Sequence, residues 1–130
     1  MASVHEQERY DVPAEEMWAR IGDFHGADTW HPGVESSAAL DDGAVRELTL
    51  AGGGGTIKET QLEEGPASYA YRIDEGPLPV ANYTATIRVE SDGEGSVVIW
   101  TAEFEPAGAS EEEAVAVIEG IFRSGLDALP

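Results

Sequence analysis

The fold is decided by the stretch VRELTLAGGGGTIKETQL, residues 45–62, in which two alternating runs flank a glycine-rich turn. This pattern predicts a β-hairpin. Because side chains on a strand alternate between two faces, Arg46 shares a face with Leu48, and Glu59 shares one with Ile57. If that face is the inner one, both charges are buried, and buried charges are tolerated mainly as pairs. The stretch therefore predicts an Arg46–Glu59 pair lining an interior that is not purely apolar.

The chain before the hairpin predicts one strand and two short helices. Residues 4–12 alternate weakly, as in a strand at a sheet edge. Pro13 suits the first position of a helix, where its missing N–H costs nothing, and apolar residues follow at helical spacing. Asp23 can cap a second short helix that runs to about Trp30. Strand patterns then continue from residue 34 to residue 104, with the hairpin among them.

The C-terminal segment predicts one long helix. Ser110 and Glu113 form a capping box before an apolar run. The apolar stripe of this helix consists of Val117, Ile118, Ile121, Phe122, Leu126 and Leu129. Such a stripe must be buried, and the inner face of the sheet is available to cover it. We therefore expect an α+β fold, in which a curved antiparallel sheet of about seven strands wraps around the long C-terminal helix and two short helices follow the first strand.

Length and composition are typical of one globular domain. The 130 residues are 42% apolar, so we expect a single domain over residues 1–130. No apolar run approaches the roughly 20 residues of a membrane span. Residues 1–8 lack the basic and apolar regions of a signal peptide. We therefore expect a cytoplasmic protein without a membrane span.

The charge of the chain narrows the choice of partners. With 26 acidic and 7 basic residues the net charge is −19, and Lys58 is the only lysine. Such a chain repels nucleic acid and anionic membrane surfaces, so neither is an expected partner. The same charge is typical of a halophilic protein, because high salt screens self-repulsion. A merely acidic protein is the alternative interpretation.

Motifs that would imply other chemistry are incomplete. The run from Gly52 to Lys58 lacks the Gly-Lys-Ser/Thr ending of a phosphate-binding loop. His5, His25 and His31 do not have metal-ligand spacing. The chain contains no cysteine, which excludes disulfides and thiolate ligands. We therefore expect no metal and no other cofactor.

A series of short motifs carries a resemblance to a known family. They are Val12-Pro13-Ala14, Met17-Trp18, Asp23-Phe24, Trp30-His31-Pro32, Val45-Arg46-Glu47-Leu48, Glu59, Tyr71-Arg72-Ile73, Gly76-Pro77-Leu78-Pro79, Tyr83, Trp100, Phe104 and Gly125-Leu126-Asp127-Ala128-Leu129. In order and spacing they resemble the SRPBCC superfamily of START and Bet v 1-like helix-grip proteins, and more narrowly its polyketide cyclase/dehydrase-like branch. The resemblance implies an interior cavity between sheet and long helix, gated by the short helices and loops. It does not fix an activity, because one fold carries many functions.

Four residues are candidates for catalysis, namely Arg46, His31, Tyr71 and Tyr83. Arg46 could orient a carbonyl, enolate or carboxylate group while Glu59 holds its guanidinium, or the two could form a purely structural ion pair between strands. A histidine titrates near neutral pH, so His31 could transfer protons. Alternatively, Trp30-His31-Pro32 is a packing unit at the end of a helix.

The expected ligand contacts are mostly aromatic. Rings with polar tips suit a pocket for a ring-bearing ligand, and they also suit an ordinary core. The residues expected to face the ligand are Trp30, Arg46, Glu59, Tyr69, Tyr71, Tyr83, Trp100, Phe104, Ile118 and Phe122.

Three functions fit this set of residues. The first is the binding of a small, largely apolar or aromatic molecule. The second is an enzyme of the cyclase, dehydratase or isomerase type, in which Arg46 stabilises an enolate-like oxygen and Tyr71, Tyr83 or His31 supplies protons. The third is a stress-related interaction protein with an incidental cavity. A cavity filled by its own side chains would favour the third function, whereas an open one with several convergent polar groups would favour the second.

Overall fold

A single antiparallel sheet and a long C-terminal helix make up most of the molecule, which the computed structural model describes from residue 2 to residue 129. The strands are β1 (Ala2–Tyr10), β2 (Val34–Leu40), β3 (Val45–Leu50), β4 (Thr56–Gly65), β5 (Ser68–Glu75), β6 (Val80–Asp92) and β7 (Gly95–Pro106). The helical elements are α1 (Ala14–Ile21), a 3₁₀ helix (Phe24–Thr29), two three-residue 3₁₀ turns (Asp41–Gly43 and Ala51–Gly53) and α2 (Glu111–Ala128).

The seven strands lie in the order β1-β7-β6-β5-β4-β3-β2, and every neighbouring pair is antiparallel. Strand β1 is an edge strand, as its weak alternation predicts. The two short helical elements connect β1 to β2, at the opposite edges of the sheet. This is the helix-grip arrangement expected from the sequence, with α2 packed against β1 and β7.

The hairpin of β3 and β4 has the predicted register. Arg46 lies opposite Glu59, and Leu48 lies opposite Ile57. All four side chains are buried, so the shared face is the inner one. The turn that joins the strands places Gly52, Gly53 and Gly55 at positive φ, a conformation that side chains with a Cβ rarely adopt.

Helix α2 begins at the capping box, in which the Ser110 hydroxyl accepts the Glu113 N–H and the Glu113 side chain accepts the Ser110 N–H. Its inner face buries Ile118, Phe122 and Leu126 against the sheet. The ring of Phe122 stacks on Trp100 with centroids 4.2 Å apart. This stack is the closest aromatic contact between helix and sheet among the described residues.

The apolar stripe of α2 is only partly core. Val117 is 38% exposed and Ile121 is half-buried, although both belong to the stripe predicted to be buried. The sheet does not close over this part of the helix, because a cavity lies beneath it and these two side chains line it. The stripe is therefore wider than the packing contact with the sheet.

The short elements between β1 and β2 close one side of the core. Pro13 is the N-cap of α1, so the helix begins at Ala14, one residue later than predicted. Met17 and Ile21 of this helix are fully buried. Asp23 caps the 3₁₀ helix by accepting the His25 N–H, at 2.9 Å. No helix among residues 2–129 is long and apolar enough to cross a membrane.

Candidate functional site

A cavity of about 360 Å³ lies between the inner face of the sheet and α2. Its walls come from the 3₁₀ region, from strands β2 to β7, and from the middle of α2. Nine of the ten predicted ligand contacts line it: Trp30, Arg46, Glu59, Tyr69, Tyr71, Tyr83, Trp100, Ile118 and Phe122. His31, the remaining catalytic candidate, lines it as well.

Phe104 is the predicted contact that does not line the cavity. Its side chain is fully buried and stacks on Tyr83, with ring centroids 5.9 Å apart. Phe104 shares the inner face of β7 with Trp100, which is why alternation alone placed it with the ligand contacts. The ring of Tyr83 lies against it, so Phe104 supports the cavity wall rather than forming it.

The Arg46–Glu59 pair forms as predicted, but its guanidinium is largely committed to the protein. Nε donates to Glu59 Oε1 at 2.7 Å, and Nη2 lies 2.6 Å from the same oxygen. Nη1 donates to the Phe24 carbonyl at 2.7 Å and to the Tyr69 hydroxyl at 3.3 Å. The Phe24 ring covers one side, 4.2 Å from the guanidinium carbon. Each guanidinium nitrogen thus faces a protein oxygen, which favours the structural interpretation of the pair.

Burial and pairing act on the two charges in different ways. Burial disfavours the charge on Arg46, yet Glu59 and the neighbouring tyrosines raise the pKa of the guanidinium overall. Burial also raises the pKa of Glu59, against the opposing effect of Arg46. The arginine therefore stays charged throughout the neutral range, whereas the carboxylate is the member of the pair that acid can neutralise.

Tyr69, Tyr71 and Tyr83 form a row along one wall. Neighbouring ring centroids in this row are 6.0 and 6.2 Å apart. Trp100 Nε1 donates to the Tyr71 hydroxyl at 3.1 Å. Burial raises the pKa of all three phenols. They are therefore protonated at neutral pH and available as hydrogen-bond donors, but they are poor sources of a proton for catalysis.

His31 has no free ring nitrogen. Nε2 lies 2.8 Å from the Ile121 carbonyl of α2, so it donates there, and Nδ1 accepts the Gly33 N–H at 2.9 Å. Burial lowers the pKa of His31, and the charge of Arg46 lowers it further, which keeps the ring neutral. This geometry favours the packing role over the acid–base role, because protonation would break the bond to Gly33.

Gly125 is a residue of this site whose role sequence reasoning missed. A Cβ at this position would lie 2.7 Å from His31 Cδ2 and 3.0 Å from ring carbons of both Trp30 and Trp100. The glycine thus lets three rings approach the backbone of α2. The available signal was a glycine among the apolar residues of a predicted long helix, where glycine is otherwise unfavourable.

The exposed lining residues of the cavity belong to the β3–β4 turn and to α2, which places its mouth between these two elements. Leu50, Ala51 and Gly54 line it from the turn, and Val117 and Ile121 line it from the helix. Within residues 2–129, no group of three or more His, Cys, Asp or Glu side chains could hold a metal ion. The polar side-chain groups that line the cavity are those of Arg46, Glu59, His31 and the tyrosine row, and the indole N–H groups of Trp30 and Trp100.

Comparison with known proteins confirms the fold. A family model described as "Polyketide cyclase / dehydrase and lipid transport" matches residues 1–130. No curated protein matches the chain.

Solved structures of similar proteins cover nearly the whole chain. The XoxI protein of Bacillus cereus is 34% identical, with a TM-score of 0.95 over 98% of this chain and 92% of its own. A protein of Bacillus thuringiensis is 33% identical, with a TM-score of 0.94 over 98% of this chain and 96% of its own. The Zhui aromatase/cyclase of Streptomyces sp. R1128 is 20% identical, with a TM-score of 0.77 over 98% and 90%; this likeness concerns the fold alone.

Proposed function

We propose, since the chain belongs to the polyketide cyclase / dehydrase and lipid transport family, that it binds one small, largely apolar or aromatic molecule in the cavity between the sheet and α2. The binding unit in this proposal is a single domain spanning residues 1–130. The ligand would enter between the β3–β4 turn and Val117.

One observation carries this proposal: the cavity is open, and most of its polar groups are already paired with the protein. Its volume of about 360 Å³ falls within the range of roughly 300–1,000 Å³ that is usual for ligand sites. The nitrogens of Arg46 and His31 are engaged by protein oxygens or by a backbone N–H. Such a site can hold an apolar ligand without leaving buried charges unpaired. An interaction protein with a filled cavity would not need this space.

The test is a matched pair of tryptophan substitutions on α2. Val117→Trp places a large ring at the mouth, whereas Ala116→Trp places the same ring on a neighbouring exposed position that does not line the cavity. The probe is N-phenyl-1-naphthylamine, a neutral dye that fluoresces in apolar surroundings. We expect wild type and Ala116→Trp to bind it alike, and Val117→Trp to bind it at least about tenfold more weakly.

Two results would contradict the proposal. If the wild type binds no neutral aromatic probe, the protein does not have the proposed ligand-binding function. If Val117→Trp and Ala116→Trp bind the dye equally well, the dye does not bind in this cavity. Mass spectrometry of small molecules that co-purify with the native protein would then identify the natural ligand of a confirmed site.

A catalytic role is the second candidate, and one observation favours it. Oε1 of Glu59 contacts Arg46, whereas Oε2 has no hydrogen-bond partner among residues 2–129. Burial raises the pKa of Glu59, a condition that suits a general base. Glu59 would take a proton from the carbon next to a ligand carbonyl, and the Tyr71 hydroxyl would stabilise the enolate oxygen.

Proton exchange separates this role from simple binding. In D₂O, the methyl protons of bound 2-acetylnaphthalene should exchange faster with wild type than in buffer, as followed by proton NMR. Glu59→Gln should abolish the acceleration while the variant still binds N-phenyl-1-naphthylamine. Exchange at the buffer rate with the wild type would leave binding as the function.

A further inference from the structure

Two tyrosine hydroxyls of the cavity wall each accept a hydrogen bond from a nitrogen of a neighbouring side chain. Trp100 Nε1 donates to Tyr71 at 3.1 Å, and Arg46 Nη1 donates to Tyr69 at 3.3 Å. A hydroxyl that accepts such a bond keeps its own proton to give away. Among residues 2–129, neither hydroxyl donates to a carbonyl or a carboxylate. The ring of Tyr83 lies beside that of Tyr71, with centroids 6.2 Å apart, which extends the row to a third hydroxyl.

Each of these two series of hydrogen bonds begins at an N–H group and ends at a tyrosine O–H. Among residues 2–129, no carbonyl or carboxylate accepts the proton of that O–H. Hydrogen bonds in series polarise one another, which strengthens the last donor. All three tyrosine side chains line the cavity and are at most 3% exposed. An apolar ligand would leave this last donor unsatisfied in a dry site, whereas a ligand oxygen would satisfy it.

The charges of the cavity oppose an anionic ligand. Arg46 is paired with Glu59, so the two charges cancel, and the second carboxylate oxygen of Glu59 has no partner among the described residues. His31 is neutral because its Nδ1 accepts a backbone N–H. A carboxylate entering this site would lose its hydration without gaining a free counter-ion. The net charge of −19 adds a repulsion at longer range.

We propose that the ligand is a neutral aromatic molecule with a carbonyl oxygen, that this oxygen accepts a hydrogen bond from the row of Tyr69, Tyr71 and Tyr83, and that carboxylates of the same shape are rejected. The inference rests on the proposed ligand-binding function and narrows it to one class of ligand. It departs from the sequence-based expectation, which allowed a carboxylate held by Arg46.

The test uses three naphthalene probes of nearly equal shape at pH 7.5. They are 2-acetylnaphthalene, which carries the carbonyl, 2-ethylnaphthalene, which lacks any polar atom, and 2-naphthoate, which is an anion. Equilibrium dialysis gives the dissociation constant of each. We expect the ketone to bind about 3- to 10-fold more tightly than the hydrocarbon, the range given by one net hydrogen bond. The carboxylate should bind at least about tenfold more weakly than the ketone.

Tyrosine-to-phenylalanine variants locate the donor. Tyr69→Phe, Tyr71→Phe, Tyr83→Phe and the triple variant remove hydroxyls and keep the rings. Tyr10→Phe is the matched control, because Tyr10 is buried outside the cavity and donates to the Leu126 carbonyl. The preference for ketone over hydrocarbon should be unchanged in Tyr10→Phe, reduced in at least one single variant, and close to 1 in the triple variant. If the triple variant does not fold, the single variants and the binding of the three probes by wild type still test the proposed hydrogen bond to the ligand carbonyl.

The outcomes distinguish this inference from the proposed function. If 2-ethylnaphthalene binds but the ketone binds no better, or if 2-naphthoate binds as tightly as the ketone, the carbonyl proposal is wrong and ligand binding stands. A ketone preference that survives in every single variant and in the folded triple variant would also overturn it. If no neutral probe binds to wild type, the proposed function fails, and this inference fails with it.

Discussion

At the scale of single residues, the Arg46–Glu59 pair gives the sharpest prediction. Arg46→Met and Glu59→Leu should each lower the free energy of unfolding by about 3–5 kcal/mol, because each leaves a buried charge without its partner. The double variant should recover only part of the loss, since the Phe24 carbonyl and the Tyr69 hydroxyl still lose the donor that Arg46 supplies. Urea denaturation of the four proteins measures the coupling.

The same cycle has an internal control in pH. In Arg46→Met the remaining Glu59 can become neutral by binding a proton, so the variant should be less impaired at pH 5.5 than at pH 8. In Glu59→Leu the guanidinium stays charged, so the loss of unfolding free energy in this variant should be no smaller at pH 5.5 than at pH 8. Additive losses in the cycle would show that the two residues do not interact.

His31 predicts a dependence of stability on pH. Its pKa is lowered in the folded state, while the unfolded chain titrates near the ordinary value of about 6.5. Below that value His31 is protonated to a larger extent in the unfolded state than in the folded state, so its contribution to stability falls as the pH falls. Between the lowered pKa and 6.5, this contribution to the free energy of unfolding changes by at most about 1.4 kcal/mol per pH unit.

His31→Gln measures this contribution. The difference in unfolding free energy between wild type and His31→Gln should be largest at pH 7.5 and should shrink towards pH 5.5. His5→Gln, which changes an exposed histidine on β1, is the control. A difference that stays constant over this pH range would mean that His31 is not held neutral as described.

The inward placement of Arg46 and Glu59 follows from the sequence, whereas their bonding does not. Alternation on β3 and β4 fixes the face, and the apolar neighbours fix which face is inner. The partner that saturates Nη1 is the carbonyl of Phe24, a backbone group 22 positions earlier in the chain. The carbonyl bound by His31 is 90 positions away. No local pattern encodes such contacts, and they decide which side chains remain free for a ligand.

At the scale of elements, α2 carries a matched pair of glycines. Gly125→Ala should lower the free energy of unfolding by about 1–3 kcal/mol, because the new Cβ would overlap the rings of His31, Trp30 and Trp100. Gly120→Ala adds the same methyl group to the same helix where nothing lies within 4 Å. That change should be neutral or stabilising by up to about 1 kcal/mol through helix propensity.

Chemical denaturation of both variants tests the closeness of α2 to the aromatic cluster. Equal effects of the two substitutions would mean that Gly125 does not lie against these rings. The Trp30 and Trp100 fluorescence should also change in Gly125→Ala and not in Gly120→Ala, since only the first displaces the indole rings.

Elements with strong periodicity were predictable, and those shaped by the cavity were less so. The hairpin and α2 have regular patterns and clear ends, at the glycine turn and the capping box. The exposure of Val117 was not predictable, because an apolar side chain that lines a mouth has the same periodicity as one in the core. The position of Phe104 behind Tyr83 was missed for the same reason, since alternation gives the face and not the layer.

At the scale of the whole molecule, the charge predicts that salt stabilises the fold. Six of the seven basic residues are engaged in ion pairs among residues 2–129, and all but the Arg46 pair are at least partly exposed. Exposed pairs contribute little each, and salt weakens them. The excess of acidic residues, a net charge of −19, produces a repulsion that salt also screens, and this second effect should dominate.

Raising sodium chloride from about 0.01 M to about 1 M shortens the screening length from about 30 Å to about 3 Å. The melting temperature, followed by circular dichroism, should therefore rise by several degrees and level off below 1 M, because screening is nearly complete there. A rise that stays linear in salt concentration would indicate exclusion of salt from the protein surface instead. A flat or falling melting temperature would mean that self-repulsion does not limit stability, and adaptation to high salt would lose its physical basis.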